Sequence, residues 1–272
     1  MRLATLFLAF SLAPPAIAET LVFEGRIEAA EQAELSSRLN GVVAEILFSA
    51  GDAVTADQPM IRLDPADAEL ALAVADARVA VAEAELEGAA REAKRQERLF
   101  QRGISPDAVV GPARTAKAAA EAALALAQAE RNRSLLDVER TVIRAPIDGF
   151  AGPPETATGA FLEAEAGPPL GRIVALDPVV IAYRVPYATR LATMAETGAE
   201  TLERMFDRID LSIVLPGGAL YPHTVRPDTA SALVDPSDGT VTVRATMPNP
   251  DMLLRPGMAV TVHARILSAE TQ

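Results

Sequence analysis

Few side chains in this 272-residue chain have the types and spacing for chemistry. His223 and His263 are its two histidines, so a multi-histidine metal site is not expected and both read as structural. Met247, Met252 and Met258 would suit a soft metal ion, but scattered methionine ordinarily fills a core, and no metal site is expected. Glu83, Glu85, Glu87, Glu92 and Glu97 alternate with Arg91, Lys94, Arg95 and Arg98 in one helical run. Carboxylates in that setting form a solvated face rather than an acid–base pair. There is no cysteine, which removes disulfides, thiolate ligands and thiol nucleophiles. No nucleophile–base–acid set and no phosphate-cradling glycine loop is visible. The residues therefore point away from an enzyme, and no cofactor is expected.

The elements that carry these residues are more informative. A net charge of −12 argues against nucleic acid as a partner, and 4% aromatics without tryptophan provide no stacking platform. The length suits two or three small modules. Residues 20–64 read as strands and turns, with Gly41–Phe48 as a β-rich run and Gly51-Asp52 as a turn. At Asp64-Pro65 the pattern changes to alanine-rich helix, with Asp64 as N-cap and Pro65 as the first helical residue. The spacing predicts a helix to Gln101, about 54 Å long at 1.5 Å per residue. Gly103 suits its C-cap. Gly111-Pro112 predicts a restart, so the second helix is expected from Pro112 to Glu139, with Ser105–Val110 a separate turn. Two long helices with a short connection form an antiparallel hairpin. After Arg140 strands return, with one helix expected over 187–206 and Gly198 as its point of interruption.

The N-terminus opens Met1-Arg2, an apolar run Leu3–Leu12, then Ala16-Ile17-Ala18. That is a secretory signal pattern with cleavage expected after Ala18. The run is too short for a spanning helix, which needs about 20 apolar residues. An exported, periplasmic, peripherally membrane-associated protein is expected.

Two stretches repeat one another. Gly41-Val42, Ala50-Gly51-Asp52-Ala53-Val54 and Ile61-Arg62-Leu63-Asp64-Pro65 match Gly149-Phe150, Thr158-Gly159-Ala160-Phe161-Leu162 and Val174-Ala175-Leu176-Asp177-Pro178. The doubled motif resembles the two halves of a lipoyl/biotinyl-type sandwich. The lysines, Lys94 and Lys117, both lie inside helices, which argues against a swinging-arm carrier. A lipoyl-like domain split by an α-hairpin resembles the periplasmic adaptor, or membrane fusion protein, family of tripartite efflux pumps. Tyr221-Pro222-His223, Val234–Ala245, Pro248-Asn249-Pro250 and Leu254-Arg255-Pro256-Gly257-Met258 are similar to the β-barrel module of its resistance-nodulation-division (RND) branch.

The resemblance implies an α+β architecture: a split lipoyl-like β-sandwich with an inserted long α-helical hairpin, plus a small β-barrel domain. The expected boundaries are a signal peptide at 1–18, lipoyl-like 33–64 and 140–178, hairpin 65–139, barrel 19–32 and 179–267, and a tail at 268–272. Few residues lie outside these modules, so a membrane-proximal domain is expected to be absent or vestigial. The resemblance further implies a non-enzymatic adaptor between an inner-membrane transporter and an outer-membrane channel protein, working as a homo-oligomer that forms a ring. An adaptor for an ABC-type exporter, or a stand-alone coiled-coil scaffold, is the alternative. At the hairpin turn the family uses an Arg, a Leu and a Ser for channel contact, and the matching positions are Arg95, Leu99 and Ser105. The spacing from Leu99 to Ser105 is one residue shorter than the commonest pattern. The plainer roles for these three are a solvated charge, hairpin packing and a helix N-cap.

Overall fold

A computed structural model describes residues 20–104, 106–164 and 167–267. The expected signal peptide lies outside the described residues, as does Ser105. The elements in chain order begin with β1 (Thr20–Ala29), β2 (Gln32–Leu35), β3 (Gly41–Ile46), β4 (Ala53–Val54) and β5 (Pro59–Leu63). The long helices α1 (Ala66–Gln101) and α2 (Asp107–Glu139) follow. Then come β6 (Val142–Arg144), β7 (Gly149–Ala151), β8 (Phe161–Leu162), β9 (Gly171–Val174) and β10 (Val179–Pro186). The chain continues through α3 (Tyr187–Thr197), α4 (Leu202–Phe206), β11 (Ile209–Val214), β12 (Thr229–Ala230), β13 (Thr240–Met247) and β14 (Ala259–Ile266). The described residues divide into two compact units, one within 32–174 and the other formed by 20–31 with 175–267.

In the first of these units the repeat becomes a symmetry. One sheet has the order β2-β9-β7-β4 and the other β6-β5-β3-β8. Exchanging β2 with β6, β3 with β7, β4 with β8 and β5 with β9 turns one sheet into the other. Each half of the repeat therefore lends strands to the sheet of its twin. Leu35, Val43, Met60, Ile61, Leu63, Ile143 and Ile173 make the shared core between the two faces.

The hairpin leaves this sandwich between β5 and β6. The Asp64 carboxylate accepts the Ala66 amide at 3.0 Å, satisfying one free donor at the start of α1. Ala75, Ala82 and Ala93 of α1 are buried against α2, with Ala127 and Val110 from the other side. Alanine seams let helices approach closely. Arg78–Glu130 at 3.0 Å, Arg131–Asp76 at 2.5 Å and Arg114–Glu97 cross between the helices. Leu70, Val74 and Val81 share one stripe of α1 that α2 does not cover, and all are exposed. α2 starts at Asp107, five residues before the expected restart, and carries Pro112 inside it. So close to the N-terminus a proline removes one backbone bond and the helix runs through it.

In the other unit, six antiparallel strands take the order β11-β14-β1-β10-β13-β12. Period-two alternation in β10, β13 and β14 buries Ile181, Tyr183, Val243, Met247, Val262 and Ile266 on one face. Bridges from β11, Leu211 to Val225 and Val214 to Leu220, bring the segment before β12 back against the opposite edge and curl the sheet toward a barrel. The helical stretch between β10 and β11 is two helices, because Gly198 takes a left-handed φ of 62° and ends the first. Asn249, fully buried, organises the β13–β14 connection. Its amide donates to Asp177 Oδ1, its Nδ2 donates to the Leu176 and Leu254 carbonyls, and its Oδ1 accepts the Leu254 amide. Thus the second Leu-Asp-Pro of the repeat anchors a barrel loop, whereas the first starts a helix.

Candidate functional site at the hairpin tip

The tip is built by the way α1 stops. Gly103 has a φ of +70°, a conformation that side chains disfavour. Its amide donates to the Phe100 carbonyl at 2.8 Å and the Ile104 amide donates to the Leu99 carbonyl at 2.9 Å. This pair of bonds is the Schellman arrangement, which satisfies carbonyls that the helix end would leave open. Pro106 is extended, and Asp107 stands in the first turn of α2, where a carboxylate complements the helix dipole. Val110, 2% exposed, is the large apolar side chain that tucks back between the helices.

Two of the three expected contact residues lie on this framework. Arg95 and Leu99 are one helical turn apart on the same face of α1. Arg95 is exposed but engaged, with its guanidinium 2.6 Å from Glu92. Glu92 also accepts Gln96 Nε2 at 2.7 Å. The Gln96 hydrogen bond first, and then Arg95, hold the Glu92 carboxyl below its ordinary range. Leu99 is half-buried. Ser105 falls outside the described residues, so the structure brings together two members of the set.

The tip also presents apolar side chains outside the expected contact set. Phe100 is 44% exposed, Ile104 68% and Val109 41%. Their signal was large apolar residues flanking Gly103, where a solvated turn is ordinarily polar. Elsewhere, the His223 ring packs on Tyr221 at 5.4 Å, and His263 sits in β14 opposite Val22. Met247 is buried in the barrel core, while Met252 is exposed on the β13–β14 connection. Among the described residues no group of three or more His, Asp or Glu side chains is placed to hold a metal ion. Among them, too, no helix is long and apolar enough to cross a membrane.

Two family models match the chain. The RND membrane fusion protein barrel-sandwich hybrid domain covers residues 31–174, and the RND membrane fusion protein β-barrel domain covers residues 225–268. The chain is 30% identical to the efflux pump periplasmic linker BepD of Brucella suis, over 95% of this chain and 65% of that protein. It is 30% identical to the membrane fusion protein MtrC of Neisseria gonorrhoeae, over 92% of this chain and 60% of that one. With the multidrug resistance protein MexA of Pseudomonas aeruginosa the identity is 29%, over 89% and 59%. The chain thus spans less than two thirds of the length of these relatives. Among solved structures, a MacA–MexA chimera carrying the Pseudomonas aeruginosa MexA α-hairpin superposes with a TM-score of 0.64 at 18% identity, over 93% of this chain and 81% of the other. ZneB from Cupriavidus metallidurans gives 0.52 at 20% identity, over 92% and 100%. At those identities the likeness concerns the fold.

Proposed function

Because the chain belongs to the RND membrane fusion protein family, we infer that it is a non-enzymatic periplasmic adaptor that links an inner-membrane RND transporter to an outer-membrane channel for export of small molecules. The observation that carries this reading is the hairpin. Two helices, the longer of about 54 Å, leave a split sandwich and end in an exposed apolar turn. An alanine seam makes the projection thin, and the uncovered Leu70, Val74 and Val81 stripe gives each hairpin an apolar flank for a neighbouring copy. Copies side by side would close a ring, their hairpins forming a wall around a path. The transporter would consume the proton gradient, and the adaptor would seal the route. Arg95, Leu99 and Ser105 contact the channel in this reading, and residues 1–18 direct export and are removed. The adaptor remains peripheral to the inner membrane.

Site-specific cross-linking in the native host tests it. A cysteine at Val109 should capture an outer-membrane channel, and one at Leu233, on an exposed barrel loop, should capture the transporter. A deletion strain should retain a fluorescent pump substrate until the gene is restored. Absence of both cross-links together with normal efflux would overturn the adaptor role.

A further inference from the structure

Resting on the adaptor reading, we propose that a second group of tip residues, Lys94, Arg98 and Arg102 with Phe100, Ile104 and Val109, selects a channel whose docking end presents carboxylates around apolar pockets. The charge distribution is the first argument. Between Arg91 and Lys117, seven basic residues stand against three acidic ones, a local +4 in a chain of −12. Between Asp64 and Ala90 the sign reverses, with seven acidic residues against Arg78. The hairpin is therefore polarised, acidic at its base and basic at its tip.

The pairing pattern is the second argument. Arg91 is held by Glu87, Arg95 by Glu92, Arg114 by Glu97 and Lys117 by Glu121. Lys94, Arg98 and Arg102 make no ion pair among the described residues. They follow one another at four-residue spacing and so form a single stripe on α1, all three exposed. Like charges at that spacing repel and destabilise a helix. Arg98 and Arg102 gain some relief from the C-terminal end of the helix dipole, which lies too far along to help Lys94. Among the described residues the nearby carboxylates Glu92 and Glu97 are engaged by Arg95 and Arg114 instead. A partner supplying carboxylates would offset the repulsion.

The apolar side chains are the third argument. Phe100, which continues the line of the alanine seam rather than that of the stripe, is exposed together with Ile104 and Val109 at the same end of the hairpin as Arg98 and Arg102, where the Schellman bonds close α1. Arginine and aromatic anchors on a preorganised turn are the composition of an interface centre. Arg95, already chelated by Glu92, is the less available cation. The unpaired stripe is what an acidic partner meets first, and it would steer association before the apolar side chains seat.

The test measures association of the purified full chain with each outer-membrane channel of the host, held in neutral-lipid nanodiscs, across a salt series. The wild-type association rate should fall about tenfold or more from low to high salt. The triple variant Lys94→Glu, Arg98→Glu, Arg102→Glu should associate about tenfold or more slowly at low salt and converge with wild type at high salt. A charge-conserving triple, Lys94→Arg, Arg98→Lys, Arg102→Lys, should stay close to wild type. Phe100→Ser with Ile104→Ser should weaken binding at every salt concentration. Wild-type binding that ignores salt and charge reversal overturns this proposal and leaves the adaptor reading standing. No binding to any host channel overturns both. Equal charge-dependent binding to empty nanodiscs of anionic lipid, or salt-sensitive self-association through the acidic hairpin base, overturns the proposal by giving the stripe a different occupant.

Discussion

At the scale of single residues, buried polar atoms and tight contacts set the sharpest expectations. Fully buried Asn249 satisfies two carbonyls and one amide with its side chain. Asn249→Ala leaves them unpaired and should cost about 2 kcal/mol or more, read as a lower denaturant midpoint with an unchanged slope. Gly25 is a steric case, since a Cβ built there would lie 2.6 Å from Val262 Cγ2. Gly25→Val should destabilise the barrel unit by about 1–3 kcal/mol through overpacking. The Asp235 and Asp238 carboxyls are held below their ordinary range, chiefly by hydroxyl hydrogen bonds from Ser237 and Thr240. Their folded values lie below the unfolded ones, so the support they give is present above the unfolded value of about 4. It is lost as pH falls through the depressed values. Amide protection over residues 235–240, corrected for intrinsic exchange, should be level from about pH 7 to about 5 and fall below about 4. Protection that persists in acid would contradict that account. Asn249-Pro250 reads from sequence only as turn punctuation. The carbonyl it meets at Leu176 is remote in the chain, and local pattern does not reveal remote pairings.

At the scale of elements, the hairpin shows what local signals reveal. Asp64-Pro65 and Gly103 mark both ends of α1, because capping chemistry is local. Gly111-Pro112 carries the same kind of signal but sits where the helix tolerates it, so α2 begins earlier than the pattern suggests. The two faces are less legible. Leu70, Val74 and Val81 are bulky apolar residues that stay exposed, while the seam buries Ala75, Ala82 and Ala93 and alternates them with half-buried Leu72, Val79 and Leu86, the small side chains admitting the close approach of α2. Ala82→Leu should therefore splay the helices and destabilise the hairpin by about 1–3 kcal/mol. Val81→Ala, on the uncovered stripe, should leave the thermal stability of the isolated chain nearly unchanged. A helical melt followed by circular dichroism separates the two. Gly103→Ala should cost about 1 kcal/mol for the left-handed backbone it must adopt. Arg95 and Leu99 are proposed as contacts on the family resemblance. The unpaired stripe is not legible in the sequence, because which cations find carboxylates depends on the facing helix, as Arg114 and Glu97 illustrate.

At the scale of the whole molecule, the cores of the two units share no residue. Calorimetry should resolve two unfolding transitions, with Gly25→Val lowering one and leaving the other in place; a single transition that shifts as a whole would contradict the division. The repeat in the sequence foretold a doubled sandwich, but the exchange of strands between halves was not visible, since β4 and β8 are two-residue strands with almost no pattern of their own. That exchange has a consequence for the order of events in time. As the chain leaves the ribosome, β2 to β5 emerge first and have no finished sheet to join, because their partners β6 to β9 are still to be made. The helices between them are dominated by local contacts and can zip early. Once zipped, they hold Leu63 beside Thr141, whose carbonyl accepts the Leu63 amide at 2.8 Å. A long closure thus becomes a short one. The hairpin is then a clasp as well as a reach, and a seam defect such as Ala82→Leu should slow refolding of a sandwich that it never touches.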